Sequence, residues 1–165
     1  YRSQYGLNAI YVILPNLYGP PPKSSPSYAS HVIPIFIKKI EEAVRSNAEY
    51  IAVWGTGEAA REFLYVDDAA EGILQAIERY DMPEPLNLGS GHVVSVREIS
   101  EKISALMGFH GAIRWDTTKQ YGQSKRFLDS SHAKKLLHFE AETSFDDGLK
   151  KTVAGFQASR TINTQ

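Results

Sequence analysis

Short apolar runs and longer stretches with helical spacing alternate along this chain. The short runs predict strands over residues 8–15, 50–54, 63–66, 86–88 and 112–115, and the first of these is expected to be buried on both faces. The helical spacing and its start signals predict helices over residues 31–45, 67–80, 96–107, 131–137 and 145–158, with a further helix ending at Gly6. A strand covered on both faces is typical of the parallel sheets of α/β folds.

The helix predicted over residues 31–45 carries the clearest amphipathic pattern. Ser30 is a suitable N-cap. The apolar stripe consists of Val32, Ile33, Phe36, Ile37, Ile40, Ala43 and Val44. Lys39 lies at the margin of this stripe, so its stem can follow apolar surface and bring the ammonium group to an adjacent pocket. His31 is predicted in the first turn, where a lone histidine is more often a surface residue than a catalyst.

Two further helix starts follow from their sequences. Ser95-x-x-Glu98 is a capping box, and Ser144-x-x-Asp147 predicts the cap of the last helix. The helix over residues 67–80 is expected to face inward with the side chains of Ala70, Ile73, Leu74 and Ile77. Residues 16–20 are expected to form a turn at the carboxyl end of the strand over residues 8–15, where ligands bind in open α/β sheets.

The stretch from Val53 to Asp68 contains the strongest candidate chemistry. Gly55 and Gly57 predict a tight turn, with Trp54 before it and Arg61 after it. A fixed guanidinium beside an indole suits a diphosphate and a neighbouring ring. The simpler interpretation of this stretch is a hairpin in which Arg61 is a solvated surface charge.

A third interpretation of the same stretch is a dinucleotide fingerprint, because Gly55-x-Gly57-x-x-Ala60 matches its spacing. That fingerprint requires a helix to start inside the glycine loop. Residues 63–66 predict a strand at this point, so we interpret the match as false. The second glycine turn, Gly89-Ser90-Gly91, is interpreted as mainly architectural.

A polar loop over residues 117–126 holds three basic side chains, those of Lys119, Lys125 and Arg126. They are either solvated charges or a second clamp on the phosphates that Arg61 would hold. The loop over residues 20–27, rich in proline and serine, is equally compatible with a linker and with a cover over a pocket.

Composition narrows the classes of function. At 165 residues one domain is expected, and 18 basic against 19 acidic side chains give a net charge of -1. The charges nearly balance, so the composition does not indicate nucleic acid or an anionic membrane as a partner. The chain has no cysteine, which excludes disulfides, cysteine-based zinc sites and thiol catalysis. No metal site is predicted. The longest apolar run is too short to cross a bilayer and no secretory signal is recognised, so we expect a cytoplasmic protein.

Several motifs occur in one order along almost the whole chain. They are Tyr5-Gly6-Leu7, Asn16-Leu17-Tyr18-Gly19-Pro20, Ser30-His31-Val32-Ile33-Pro34, Val53-Trp54-Gly55-Thr56-Gly57, Arg61-Glu62-Phe63-Leu64, Val66-Asp67-Asp68 and Asn87-Leu88-Gly89-Ser90-Gly91. This order resembles the carboxyl-terminal half of extended short-chain dehydrogenases/reductases of the NAD-dependent epimerase/dehydratase family, and within them the GDP-L-fucose synthase family. The resemblance implies that residues 1–165 comprise the last parallel strand or strands of a Rossmann-type domain plus a mixed α/β substrate-binding domain.

The resemblance also implies an activity and site roles. Members convert GDP-4-keto-6-deoxymannose to GDP-L-fucose by epimerising C3 and C5 and reducing C4 with NADPH. By this resemblance NADP(H) is the cofactor, a GDP-sugar is the ligand, and the complete enzyme is a homodimer. The backbone of Leu14, Pro15, Asn16 and Leu17 would contact the nicotinamide end, and His31 would contact the cofactor and donate a proton. The remaining side chains, which would hold the GDP-sugar, are those of Lys39, Trp54, Arg61 and Arg126.

Departures from the family's motifs keep two alternatives open. Lys39 stands where arginine is usual, and Tyr121 stands where aspartate is common. The family's glycine-rich cofactor loop, active-site serine and Tyr-x-x-x-Lys pair precede the position that matches Tyr1. We therefore expect no hydride transfer by this chain alone. The alternatives are another nucleotide-sugar epimerase or dehydratase, and a non-catalytic nucleotide-sugar-binding fragment.

Overall fold

The computed structural model describes residues 1–21, 31–118 and 124–162, with side chains through residue 159. Its helices are α1 (Arg2–Tyr5), α2 (Val32–Arg45), α3 (Val66–Arg79), α4 (Val96–Met107), α5 (Ser131–Leu137) and α6 (Phe145–Ile162). Its strands are β1 (Val12–Ile13), β2 (Asn16–Tyr18), β3 (Tyr50–Trp54), β4 (Ala60–Tyr65), β5 (Leu86–Asn87), β6 (Val93–Ser95), β7 (Ala112–Asp116) and β8 (Lys125–Arg126).

Strand β4 is the centre of the main sheet. Its carboxyl half pairs in parallel with β2, so that Asn16 lies opposite Phe63. Its amino half pairs with antiparallel β6 on one edge and with parallel β8 on the other. Two further parallel pairs, β1 with β5 and β3 with β7, flank this sheet. The predicted α/β class with parallel strands is confirmed.

The two faces of β4 contribute to two different hydrophobic cores. Phe63 and Tyr65 belong to the larger core, which the buried face of α2 and parts of α4 and α6 complete. Leu64 belongs to a second core with residues of α3, β5 and α5. The alternation follows from strand geometry, because successive side chains point to opposite faces. β4 is therefore the shared wall of both cores.

Several local predictions are confirmed because the signals that encode them are short-range. Gly6 ends α1 with φ 63°, a left-handed conformation that suits glycine. The Ser95 hydroxyl accepts a hydrogen bond from the Glu98 backbone N–H at 3.1 Å and caps α4. The Ser144 hydroxyl does the same for the Asp147 N–H at 3.1 Å at the start of α6.

The prediction of one buried strand over residues 8–15 is wrong. Only Val12 and Ile13 pair with β5, and Tyr11 before them is 62% exposed. The expected turn over residues 16–20 is also wrong at its start, because Asn16–Tyr18 forms β2. The chain leaves β5 after Ile13 and pairs with β4 instead. The Asn16 side-chain amide reinforces that change by donating to the Glu62 carbonyl at 3.0 Å.

The inward face predicted for α3 is confirmed for Ile73, which is half-buried against the second core, and wrong for the other three residues. Its buried residues are Ala69, Gly72 and Ala76, whereas Leu74 is 56% and Ile77 is 66% exposed. The small residues allow close approach: a Cβ on Gly72 would lie 2.7 Å from the ring of Phe139. Packing against the second core therefore selects the face with the smallest side chains.

No helix among the described ranges is both long and apolar enough to cross a membrane. Ser30, Lys119 and Tyr121, which the sequence singled out, lie outside the residues that the structure describes, as does most of the proline-rich loop.

Candidate functional site

A cleft of about 840 Å³ opens at the carboxyl ends of β2 and β3, beside β4. Its walls come from three segments: the end of β2 with Gly19 and Pro20, the first two turns of α2, and the region from Val53 to Phe63. Apolar side chains such as Phe36 and Val94 form much of its floor. Mostly apolar walls with a few polar groups are typical of ligand sites.

Six of the nine residues to which the resemblance assigned a role line this cleft. They are Asn16, Leu17, His31, Lys39, Trp54 and Arg61. These residues come from β2, α2, β3 and β4, which are far apart in the chain. The fold thus brings together groups that the sequence could only name separately. Arg126 lies on the neighbouring strand, and Leu14 and Pro15 lie before β2.

Arg61 lies on β4, half-buried, and the hairpin interpretation of its stretch is wrong. β3 pairs with β7, and β4 pairs with β2, so the two strands on either side of the glycine turn do not pair with each other. The Arg61 Nη1 donates to the Ala60 carbonyl at 2.8 Å. That bond engages one of five guanidinium N–H donors. Arg61 is therefore a fixed cation in the wall of the cleft.

The dinucleotide fingerprint at Gly55, Gly57 and Ala60 is confirmed to be false, because Ala60 begins strand β4 and not a helix. The turn serves a different purpose. Arg97 donates to the Thr56 carbonyl at 2.6 Å, and its guanidinium lies 4.9 Å from the ring centre of Trp115. Gly57 has φ 80°, and a Cβ there would lie 2.8 Å from Trp115. The turn is held from behind and presents Trp54, 65% exposed, to the cleft.

His31 is the N-cap of α2 and not, as expected, a residue of its first turn. Its backbone is extended, with φ −86° and ψ 153°, and its side chain makes no capping hydrogen bond. The imidazole is exposed and lines the cleft. Two turns later, Lys39 also lines the cleft, and its ammonium donates to the Ala52 carbonyl at 2.6 Å. The predicted reach of Lys39 from the edge of the apolar stripe is confirmed.

Arg126 lies in β8, a strand that the sequence did not predict. β8 contains only two residues, both exposed, and Arg126 is the parallel register partner of Arg61. Register partners in adjacent strands direct their side chains to the same face of the sheet. The two guanidinium groups therefore lie on one face. Lys125, in contrast, lies over the ring of Phe127 at 5.2 Å.

Leu14 and Pro15 occupy the link between β1 and β2. Both are half-buried, and the Leu14 side chain packs against the second core. Asn16 and Leu17, the next two residues, line the cleft. The predicted cofactor segment therefore runs along the edge of the cleft, with only its second half in the wall.

Glu62 is the residue of the site region to which the sequence assigned no role. It is 1% exposed, and both carboxylate oxygens accept backbone hydrogen bonds: Oε1 from Gly91 at 2.9 Å and Oε2 from Leu128 at 2.7 Å. A signal was present in the sequence, since a carboxylate between Arg61 and Phe63 in an alternating strand must point to the opposite face.

Tyr18 forms part of the floor of the cleft. Burial raises the pKa of its phenol well above the usual value, and the charge of Asp68 adds to this shift. The phenol therefore stays neutral and behaves as a buried packing group. Within the described ranges no cluster of histidine and acidic side chains has the arrangement of a metal site.

Tyr121 and Lys125 happen to repeat the Tyr-x-x-x-Lys spacing. Residues four apart share a face in a helix. Lys125, however, belongs to strand β8, and Tyr121 lies outside the residues that the structure describes.

Comparisons with known proteins agree with this geometry. A sequence model of the NAD dependent epimerase/dehydratase family matches residues 1–89. The chain is 40% identical to GDP-L-fucose synthase 1 of Arabidopsis thaliana over 152 aligned residues. The alignment covers 92% of this chain and 46% of that protein. The chain spans about half the length of the curated relatives it matches.

Solved structures show the same fold. A GDP-L-fucose synthetase from Naegleria fowleri bound to NADP superimposes with a TM-score of 0.81 at 29% identity, covering 92% of this chain and 47% of that one. A UDP-glucose 4-epimerase from Thermotoga maritima with UDP-glucose also superimposes with a TM-score of 0.81, at 26% identity. That superposition covers 96% of this chain and 49% of the epimerase chain. Family match, sequence relatives and fold agree, and the chain belongs to the NAD dependent epimerase/dehydratase family.

Proposed function

We propose that this chain forms the sugar-nucleotide-binding part of an NADPH-dependent epimerase/reductase that converts GDP-4-keto-6-deoxymannose to GDP-L-fucose. The observation that carries the proposal is the cleft of about 840 Å³ that joins Asn16, Leu17, His31, Lys39, Trp54 and Arg61. Its volume suits a ligand of the size of a nucleotide sugar. The similarity to GDP-L-fucose synthase 1 over 92% of the chain supports the same proposed function.

Arg61 and Arg126 are the proposed clamp on the diphosphate. They are register partners on adjacent parallel strands, and their side chains share one face of the sheet. Guanidinium groups form paired, charge-assisted hydrogen bonds with phosphate oxygens. A diphosphate offers two phosphates side by side, which suits two cations at neighbouring strand positions.

Trp54 is the proposed wall for a flat ring. Its indole is 65% exposed at the end of β3, while the glycine turn behind it is fixed by Arg97. An exposed aromatic on a fixed backbone stacks a nucleobase without ordering a flexible segment. Lys39 supplies a point charge to the same cleft and no bidentate fork.

His31 is the proposed proton donor in epimerisation. Inversion at C3 and at C5 removes a proton from a carbon directly next to the C4 ketone and returns a proton to the opposite face of that carbon. The imidazole is exposed to the cleft at the N-cap of α2, and histidine can donate a proton near neutral pH. His31, Asn16 and Leu17 line the same cleft, which supports a role for His31 at the junction of the cofactor and sugar ends of the site.

The residues at this junction fit a nicotinamide ring. Leu17 is 43% exposed and apolar, and it lines the cleft together with His31. The segment from Leu14 to Leu17 follows the carboxyl end of a parallel strand, where dinucleotides bind in this fold class. When bound, NADPH would supply the hydride that reduces the C4 ketone. The chain's own contribution is to position the ring beside the sugar.

A second candidate is a different nucleotide sugar in the same cleft. Two observations favour it: Lys39 occupies a position where the GDP-L-fucose synthase family usually has arginine, and the fold matches a UDP-glucose 4-epimerase with a TM-score of 0.81. The loss of a bidentate donor changes which groups of the ligand are recognised.

Titration calorimetry of this chain with GDP, GDP-mannose and UDP-glucose tests the proposal. We expect saturable binding of GDP and GDP-mannose, at least about 10-fold tighter than UDP-glucose, which corresponds to about 1.4 kcal/mol or more of discrimination. Tighter UDP-glucose binding would establish the second candidate. Absence of saturation with all three would contradict both.

Arg61→Ala should weaken GDP binding by roughly 10- to 100-fold, because a charge-assisted hydrogen bond contributes about 1.5–3 kcal/mol. The matched control is Arg114→Ala, which removes a guanidinium that stacks on Tyr50 at 3.6 Å outside the cleft. If the two variants bind GDP with equal affinity, Arg61 is a surface charge and does not hold the phosphates.

A further inference from the structure

The carboxylate of Glu62 is buried without a cationic partner. It is 1% exposed, and in the described parts of the chain no lysine or arginine forms an ion pair with it. Its two described hydrogen bonds come from neutral backbone N–H groups, those of Gly91 and Leu128. Burying a carboxylate is costly, and an apolar side chain of similar size is often as stable or more so. Stability alone therefore does not account for an acidic residue here.

The geometry of β4 separates Glu62 from the cleft. Arg61 and Phe63 line the cleft, and Glu62 and Leu64 point to the other face of the strand. The carboxylate cannot touch a ligand bound in the cleft. Any influence on the ligand must pass through the backbone groups that the carboxylate holds.

One of those groups lies just after β8, the strand that carries Arg126. The Leu128 N–H, two residues after Arg126, donates to Glu62 Oε2 at 2.7 Å. On the other side of β8, the Ala60 N–H donates to the Ser124 carbonyl at 2.8 Å. A strand of two exposed residues has little packing of its own. These two bonds therefore fix the register in which Arg126 lies opposite Arg61.

The other backbone group that Glu62 holds, the Gly91 N–H, belongs to the glycine turn that surrounds the carboxylate. Gly91 donates to Oε1, and Gly89 approaches so closely that a Cβ on it would lie 2.3 Å from that oxygen. The same imagined Cβ would lie 3.0 Å from the Ser130 hydroxyl. The glycine turn is wrapped around the carboxylate and leaves it one orientation, with Oε2 directed at Leu128.

We propose that Glu62 is a positioning residue for sugar-nucleotide binding: through Leu128 it holds Arg126 beside Arg61 in the diphosphate clamp. The inference rests on the proposed function, because it assigns to the clamp the task of holding the ligand's phosphates. Arg61 is fixed by its own strand, whereas Arg126 depends on the buried carboxylate.

A double-mutant cycle with GDP as the probe tests this inference. The dissociation constant is measured for the wild-type chain, Glu62→Gln, Arg126→Ala and the double variant. Glutamine keeps the size of the side chain but replaces one acceptor oxygen with an NH2 group, which cannot accept from a backbone N–H. We expect each single variant to weaken GDP binding about 10-fold, as for one charge-assisted hydrogen bond.

In the double variant we expect the loss to stay near 10-fold and not to reach the roughly 100-fold of two independent effects. A merely structural role of Glu62 would lower stability without this coupling. The matched control is Glu71→Gln, an exposed carboxylate on α3 that accepts from Gln75 at 2.9 Å. It should leave the dissociation constant unchanged.

Two results would overturn the inference: unchanged GDP affinity in a folded Glu62→Gln chain, or fully multiplicative losses in the double variant. If Glu62→Gln does not fold, amide hydrogen exchange of the wild-type chain takes its place. Saturating GDP should then slow exchange of the Leu128 N–H, and an unchanged rate would overturn the inference. A wild-type chain that binds no GDP contradicts the proposed function itself, which separates the two failures.

Discussion

The chain contains two glycine turns of the same Gly-x-Gly pattern, and they are stabilised by opposite charges. Behind Gly55-Thr56-Gly57 lies the guanidinium of Arg97, which donates to the Thr56 carbonyl. Behind Gly89-Ser90-Gly91 lies the carboxylate of Glu62, which accepts from the Gly91 N–H. A turn has both carbonyl and N–H groups to offer, so the charged side chain behind it decides which of them is used.

This difference bears on function. Glycine turns are often considered candidate anion sites because their N–H groups can point together at a phosphate. In the turn at Gly89 an internal carboxylate already occupies a donor, so the turn is organised around a residue of the protein. The turn at Gly55 lies in the wall of the cleft. Identical spacing in the sequence therefore corresponds to an architectural turn in one place and a site wall in the other.

The largest effect is expected for Gly89→Ala. The added Cβ would lie 2.3 Å from Glu62 Oε1, an oxygen held in place by hydrogen bonds. Overpacking of this kind typically costs up to about 3 kcal/mol. Denaturant unfolding measures the loss of free energy. Gly91→Ala is the control: its φ of 73° is strained, but no atom lies within 4 Å of the added Cβ. We expect about 1 kcal/mol there, and equal losses would contradict the close wrapping of Glu62.

An intermediate effect is expected for Gly57→Ala. The residue combines φ 80° with an added Cβ 2.8 Å from the Trp115 ring. We expect a loss of about 2 kcal/mol, because the left-handed backbone costs about 1 kcal/mol, as at Gly91, and the overlap with the half-buried ring adds a similar amount. GDP binding should weaken too, because Gly57 lines the cleft. Gly108→Ala, with φ 69° and open space around its Cβ, should lose stability without losing affinity. Weakened binding in Gly108→Ala would count against the turn at Gly57 as a site element.

The smallest effect is expected for Arg97→Ala. It removes the hydrogen bond to Thr56 and the contact with Trp115. Because Arg97 is exposed, we expect about 1 kcal/mol of stability to be lost. Arg114→Ala removes a comparable stacking contact, with Tyr50, and no turn contact. If the guanidinium of Arg97 fixes the cleft wall, only Arg97→Ala should also lower GDP affinity. An equal change of GDP affinity in Arg97→Ala and Arg114→Ala would contradict this role.

The sequence predicted those features whose causes are local. The cap of α4 was predictable because Ser95 and Glu98 are three residues apart, and β3 was predicted with the bounds that the structure has. The face of α3 was not, because Leu74 and Ile77 are as apolar as the pattern requires. The positions of Leu88 and of Phe139, the latter over sixty residues away, make Gly72 a buried point of the helix.

The candidate site likewise has some residues that the sequence predicted and some features that it did not. The resemblance named the side chains that line the cleft, and the structure brought six of them together. It did not indicate β8 or the role of Glu62, since both depend on pairing between segments more than sixty residues apart. Long-range pairing of a two-residue strand leaves no periodic signal in a sequence.

Strand β4 has a consequence for how the molecule unfolds. Because Phe63 and Leu64 belong to different hydrophobic cores, neither core can come apart without removing a wall of the other. The chain should therefore melt in one cooperative transition, and its deepest amides should exchange only through global opening. A ligand in the cleft contacts only the larger core, yet mass action would raise the melting temperature of both together.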